Sequence, residues 1–163
     1  MKKHFLVILL LAVGLLAPAQ PQNHKKETMN NNKKDVAIWY DAFNRKDPAL
    51  VDKILDANWV DIPSAPNQKP GLQGMKDLLA DLTTTFPDFN VRIEEILQDG
   101  NKVIVRSELT GTQKGPFLGI SPRGRKIHIQ AVDIHEFKDG KIIRTWHTED
   151  WMNGLRQLGL FEK

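Results

Sequence analysis

Arg125–Trp151 reads RKIHIQAVDIHEFKDGKIIRTWHTEDW, two strand-like runs joined by Lys138-Asp139-Gly140. In the first run Ala131, Asp133, His135 and Phe137 fall on one face and Val132, Ile134 and Glu136 on the other, the two-residue period of a strand. Asp-Gly between such runs signals a hairpin, and the loop length sets its register. A three-residue loop with Gly140 in the left-handed position pairs Phe137 with Lys141, Asp133 with Thr145 and Ala131 with His147. Asp133 and His147 are then diagonal neighbours on one face, roughly 7–8 Å apart at the backbone and within side-chain reach. A two-residue loop puts Trp146 beside Asp133 and turns His147 away, because a slip of one residue exchanges the faces. The three-residue loop is the expectation, and the hairpin then floors a small-molecule pocket.

Upstream of the hairpin the texture of the chain changes at Pro87. Phe89–Leu97 and Val103–Thr112 read as two more strands, separated by Asp99-Gly100-Asn101, and Ile142–Thr148 completes four. Before Pro87 the spacing is helical. Val36, Trp39, Tyr40 and Phe43 mark a first helix, and Asp47-Pro48 looks like an N-cap with proline at the first position of a short second one. Met75, Leu78, Leu79, Leu82 and Phe86 mark a third helix, and Asn58–Ile62 between them reads as a short strand with Trp59 and Asp61 on one face. A last helix over Trp151–Phe161 should pack Leu155, Leu158 and Leu160 at the mouth of the sheet. Helices followed by an antiparallel run make an α+β domain, a curved sheet wrapped on one face by helices.

The 163 residues suffice for one domain with a real core. Residues 1–19 read as a secretory signal peptide: Lys2, Lys3 and His4, an apolar run from Phe5 to Leu16, and Ala17-Pro18-Ala19 as a cleavage pattern. Residues 20–33 are polar and read as a flexible linker, leaving 34–163 as the folded domain. A periplasmic or secreted location follows, with no membrane association after cleavage. The chain has no cysteine, so it stands on its core without disulfides. Cleavage after Ala19 leaves 21 basic and 20 acidic residues, and no basic stripe with interleaved aromatics points to nucleic acid. Glycine-rich phosphate loops and metal-ligand runs of the Cys-x-x-Cys or His-Glu-x-x-His kind are absent from the sequence.

Several pieces in order then carry a family resemblance: Phe86-Pro87-Asp88, Gly111-Thr112, the run Gly115-Pro116-Phe117-Leu118-Gly119-Ile120-Ser121-Pro122, Phe137-x-Asp139-Gly140-Lys141-Ile142, and Leu155-Arg156-Gln157-Leu158-Gly159. Over about residues 34 to 160 the chain resembles the SnoaL-like polyketide cyclases, or ester cyclases, of the NTF2-like superfamily. The resemblance implies a cone-shaped curved sheet closed by helices around one apolar cavity. For the best-known members it implies an intramolecular aldol ring closure with no metal or organic cofactor. The family's acid/base Asp falls on His147 and its partner His on Asp133, the same pair exchanged in place. Asp61 stands where the cyclases carry a polar Asn, Phe43 matches a cavity aromatic, and Ala131 replaces a Gln.

The expected site follows. His147 is the general base or acid and Asp133 fixes its tautomer. Burial lowers the imidazole pKa and the carboxylate raises it, so the pair should hold the ring near neutral pH. Trp39, Phe43, Trp59, Asp61, Met75, Ala131 and His135 are the expected substrate-contacting residues. Asp133, His135 and His147 would suffice in number for a metal, but the resemblance argues against one, and no cofactor is expected. The expected function is cyclisation, isomerisation or hydrolysis of a hydrophobic carbonyl or ester compound. The alternative is a non-catalytic module that holds an apolar ligand. Lys114–Arg125 should be a hairpin tip that acts as lid or oligomer contact, and a homodimer is expected.

Overall fold

The computed structural model describes residues 31–162. The expected signal peptide and most of the expected linker lie outside the described residues. Residues 31–35, partly assigned above to the linker, are helical, and Asn32 is only 4% exposed, its carbonyl accepting the Val36 N–H at 3.0 Å. Helical structure is thus already present at residue 31, inside the stretch read above as linker.

Nine elements follow: α1 (Ala37–Arg45), α2 (Pro48–Ile54), β1 (Leu55–Ile62), α3 (Gly71–Thr85), β2 (Asn90–Asp99), β3 (Lys102–Thr112), β4 (Lys126–Lys138), β5 (Lys141–Glu149) and α4 (Trp151–Leu158). The local signals act as expected at the helix starts. Asp47 caps α2 by accepting the Ala49 N–H at 2.9 Å with Pro48 at the first position, and the Asp150 carboxylate accepts the Asn153 N–H at the start of α4. Helix α4 stops earlier than expected, at Gly159 in the left-handed conformation (φ 92°). Leu158 is buried there, while Leu160 is 44% exposed and lies outside the core.

The five strands form one curved, open sheet in the order β1-β5-β4-β3-β2. Four are antiparallel in sequence, and β1 joins the far edge parallel to β5. Burial alternates along β3 and β4: Val103, Val105, Ser107 and Leu109, with Ile127, Ile129, Ala131, Asp133, His135 and Phe137, all face the helices. Burying one face per sheet and one stripe per helix gives a single core, with Tyr40, Val51, Ile54 and Met75 supplying the helical side.

The β4–β5 turn corrects the expected register. Lys138 pairs with Lys141 across a two-residue loop, Asp139-Gly140, whose φ values of 50° and 77° are those of a type I′ turn. That register would turn His147 outward. Instead Ile143 is accommodated as an extra residue between the Phe137–Ile142 and Glu136–Arg144 pairs. Past this bulge Thr145, His147 and Glu149 face inward, and Asp133 stands directly opposite His147. The face assignment expected from a longer loop is thus reached by a bulge within the strand.

Candidate functional site

The concave face and the helices enclose a cavity of about 370 Å³. Its walls are mostly apolar: Trp39 and Phe43 from α1, Met75, Leu78 and Leu82 from α3, Val91 from β2 and Leu109 from β3. The segment between β3 and β4 folds over one end, where Phe117 and Ile120 pair and Phe117 stacks on Trp151 at 4.8 Å between ring centres. Phe117 and Leu118 line the cavity, so the expected hairpin tip supplies part of its wall. Asp133, His147, Asp61 and Glu149 bring acid/base groups to the same space.

Asp133 and His147 share a register row, yet no hydrogen bond joins their side chains. The expected role of Asp133 as the group that orients His147 is overturned by the partners each one has. His147 lies between two other carboxylates: Nδ1 is 2.9 Å from Glu149 Oε1, and Nε2 is 3.2 Å from Asp61 Oδ1 and 2.9 Å from the Pro63 carbonyl. Burial alone would lower its pKa, but the hydrogen bonds to Asp61 and Glu149 outweigh this and raise it to about 11. The ring is therefore an imidazolium at neutral pH, and the expected near-neutral base is not what the geometry provides. Both ring nitrogens act as donors in that state.

Asp133 is 7% exposed, and its Oδ2 accepts the Tyr40 hydroxyl at 2.7 Å. Burial raises its pKa to about 6 against the opposing Tyr40 hydrogen bond, so the poised group of the pair is the carboxylate. Tyr40 is held in turn. Its oxygen lies 3.0 Å from His135 Nε2, His135 Nδ1 lies 3.0 Å from Thr145 Oγ1, and the Trp59 indole N–H donates to that same Oγ1 at 3.0 Å. Only one set of directions satisfies all four bonds when Asp133 is ionised. Trp59 donates to Thr145, Thr145 donates to His135 Nδ1, His135 Nε2–H donates to Tyr40, and Tyr40 donates to Asp133. His135 is completely buried and held neutral, burial lowering its pKa to about 3.

Five of the expected contact residues line the cavity: Trp39, Phe43, Asp61, Met75 and Ala131. Trp59 and His135 do not. They lie behind the wall, where their polar atoms are used up in orienting Tyr40, so they are corrected from substrate contacts to supports of Asp133. With both its nitrogens so engaged, His135 does not converge with Asp133 and His147, and no group of three His, Asp or Glu among the described residues is arranged to hold a metal ion. Tyr40 and Glu149 were missed. Strand parity gave a signal for Glu149, two residues after His147, whereas Tyr40 sits among apolar neighbours at helical spacing and reads as plain core.

A family model for the SnoaL-like polyketide cyclases matches residues 34–158. The chain belongs to the SnoaL-like polyketide cyclase family. Among solved structures this family member resembles TsrD from Streptomyces laurentii, with 27% identity and a TM-score of 0.74 over 80% of this chain and 96% of that one. It also resembles a Bacillus cereus protein named as a candidate polyketide cyclase, with 27% identity and a TM-score of 0.70 over 88% of each chain. AclR from Streptomyces galilaeus, named as a candidate hydroxylase, shares the fold at 24% identity and a TM-score of 0.71, covering 83% of this chain and 85% of AclR. No curated protein matches the chain. The expected NTF2-like architecture is thereby the observed one.

Proposed function

We propose that this SnoaL-like protein is an exported enzyme that enolises a hydrophobic carbonyl compound, with Asp133 as the general base. The observation that carries this reading is a carboxylate buried in an apolar cavity, aimed by Tyr40 and raised to a pKa of about 6. Such a group is largely ionised at neutral pH yet basic enough to remove a proton from carbon next to a carbonyl. The C–H bond breaks, its proton goes to the Asp133 carboxylate, and its electron pair moves into the enolate. The His147 imidazolium, held between Asp61 and Glu149, lies on the same wall. The enolate then either closes a ring on a second carbonyl of the same molecule, whose new alkoxide takes the proton back from Asp133, or is reprotonated by Asp133 at a conjugated carbon. Neither course moves electrons off the substrate.

The test is exchange of α-hydrogen for deuterium, followed by mass spectrometry over hydrophobic ketones and β-keto esters. Wild type is expected to label its substrate, and Asp133→Asn to label it roughly 10²–10⁴-fold more slowly. Equal labelling by both proteins would sink the assignment. One observation favours the alternative of a non-catalytic binding module: both His147 nitrogens already have protein partners, leaving no free N–H for a substrate oxygen. That reading expects retained ligand and no label from either protein.

Two further parts of the proposal concern the whole chain. Export is supported by the charged start, apolar run and Ala17-Pro18-Ala19 exit of residues 1–19. Homodimerisation is supported by the outer sheet face. There Leu97, Ile104, Ile134, Trp146 and Ile62 follow one another across all five strands in register, with Val132 (41% exposed) beside them.

A further inference from the structure

Ser107 is fully buried, lines the cavity, and its hydroxyl has no hydrogen-bond partner in the protein. Its surroundings explain this. On the sheet it stands between Ile93 of β2 and Ala131 of β4, neither of which carries a side-chain acceptor. The other hydroxyl, amide, carboxyl and imidazole groups on the wall are engaged. Ser64 donates to the Asp61 carbonyl, Gln68 donates to the Asp61 carboxylate, His147 takes up Asp61 and Glu149, and Tyr40 takes up Asp133. Buried hydroxyls are nearly always paired, so a lone one facing a cavity is a group waiting for a partner from the cavity side.

We propose that Ser107 is a ligand-anchoring residue, and that the molecule this cavity takes carries a second oxygen function, hydroxyl or carbonyl, besides the carbonyl handled at Asp133. The inference rests on the small-molecule reading above and narrows its substrate class. Val105 lies opposite Asp133 and Ser107 opposite Ala131, so Ser107 and Asp133 are diagonal neighbours on one face, roughly 7–8 Å apart at the backbone. The second oxygen is therefore about one ring removed from the reacting carbon. Ser107 and Ala131 are small side chains set side by side on that wall. Much of the rest of the wall is apolar, Leu109 and Val91 included. An oxygenated ring ketone fits this wall, and a plain hydrocarbon ketone leaves the hydroxyl buried and unpaired.

The probes are β-tetralone and its ring-hydroxylated isomers, titrated against the full mature chain by tryptophan fluorescence, since Trp39 and Trp151 line the cavity. Wild type should hold at least one hydroxylated isomer about tenfold tighter than β-tetralone, the usual worth of one buried hydrogen bond. Ser107→Ala should bind the two alike while keeping its affinity for β-tetralone, and Ser107→Cys, similar in shape but a weak donor, should lose most of the preference. A preference that survives Ser107→Ala, or no preference in wild type, overturns the proposal. A cavity that takes none of the probes overturns it together with the small-molecule reading. Deuterium exchange on β-tetralone in the same samples separates the two ideas. Exchange that depends on Asp133 but shows no Ser107-dependent preference leaves the base assignment standing and removes only the anchor.

Discussion

Asp133 is placed where a charge is expensive, and the sign of that expense can be measured. Its folded pKa of about 6 lies above the ordinary carboxylate value, so between roughly pH 4 and 6 the folded protein holds a proton the unfolded chain has lost, and stability falls as pH rises through that window. Above about pH 6 the full penalty applies, on the order of 2–3 kcal/mol from the two-unit displacement. Asp133→Asn should therefore be more stable than wild type at pH 7–8 by an amount of this order, and no more stable below about pH 4. Denaturant unfolding at the two pH values checks this; equal stability at neutral pH would mean that the carboxylate is not effectively desolvated. His135 has the opposite sign. Its depressed pKa makes its contribution fully present above about pH 6.5 and lost as pH falls towards 3, but it is common to both proteins and cancels in the comparison. His147 titrates on the alkaline side: with its folded value raised to about 11, its contribution is fully present below about pH 6.5 and lost as pH rises through 11.

Tyr40 separates support from catalysis at the same scale. Its hydroxyl bond lowers the Asp133 pKa against the pull of burial, so Tyr40→Phe should move the acid limb of the pH–rate profile upward from about 6. The same change leaves His135 Nε2–H without an acceptor and should destabilise the fold by roughly 1–3 kcal/mol. A profile whose acid limb stays at the wild-type position in Tyr40→Phe would show that the hydrogen bond does not tune the base.

At the scale of elements, two close fits set the shape of the site. Helix α3 carries Gly74, where an added Cβ would come within 1.7 Å of the Lys69 carbonyl oxygen, so the helix and the 63–70 segment meet without a side chain between them. That segment supplies Pro63, Ala65, Pro66 and Gln68 to the cavity wall and the Pro63 carbonyl to His147. Gly74→Ala must push the two apart and should destabilise the domain by about 1–3 kcal/mol. It should also weaken ligand binding, whereas Gly100→Ala, with open space around its Cβ, should show only the strain of its φ of 57°. Thermal melts with parallel ligand titrations read both, and a Gly74→Ala protein as stable as wild type would contradict the fit. The second close fit is the β4–β5 bulge. Strand alternation and the Asp-Gly signal were legible in the sequence, and so was the face shared by Asp133 and His147. The place of the extra residue was not, because a longer turn and a bulge at Ile143 give Asp133 and His147 the same face by different routes.

For the whole molecule, the curved sheet divides the chain into a concave face that makes the cavity and a convex face that is apolar in one continuous row. Lys102 and Arg144 sit over the Trp146 ring, at 4.9 Å and 5.3 Å, so this row is framed by cations rather than covered by a helix. A second copy of the chain is the proposed occupant, and Val132→Lys, which sets a charge in the middle of the face, should shift the protein from dimer to monomer by roughly tenfold or more in dissociation constant. Sedimentation of the two proteins over a concentration series decides it; wild type that sediments as a monomer throughout removes the dimer from the proposal.

The sequence by itself determined the element types, their order and the family, because periods of two and 3.6, the Asp47-Pro48 and Asp150 caps and the Asp139-Gly140 turn are all local and each is written within a few residues. It also placed Asp133 and His147 on one wall, since parity along a strand needs no tertiary information beyond a register. Which carboxylates would flank His147, and which hydroxyl would hold Asp133, were decided only by the tertiary structure. Asp61 comes from the parallel edge strand, Tyr40 from a helix 93 residues away in sequence, and Glu149 enters through the bulge. Those partners exchange the expected protonation roles, because a pKa is set by the charges and burial within a few ångströms of the group, and these come from segments with no local sequence signal linking them.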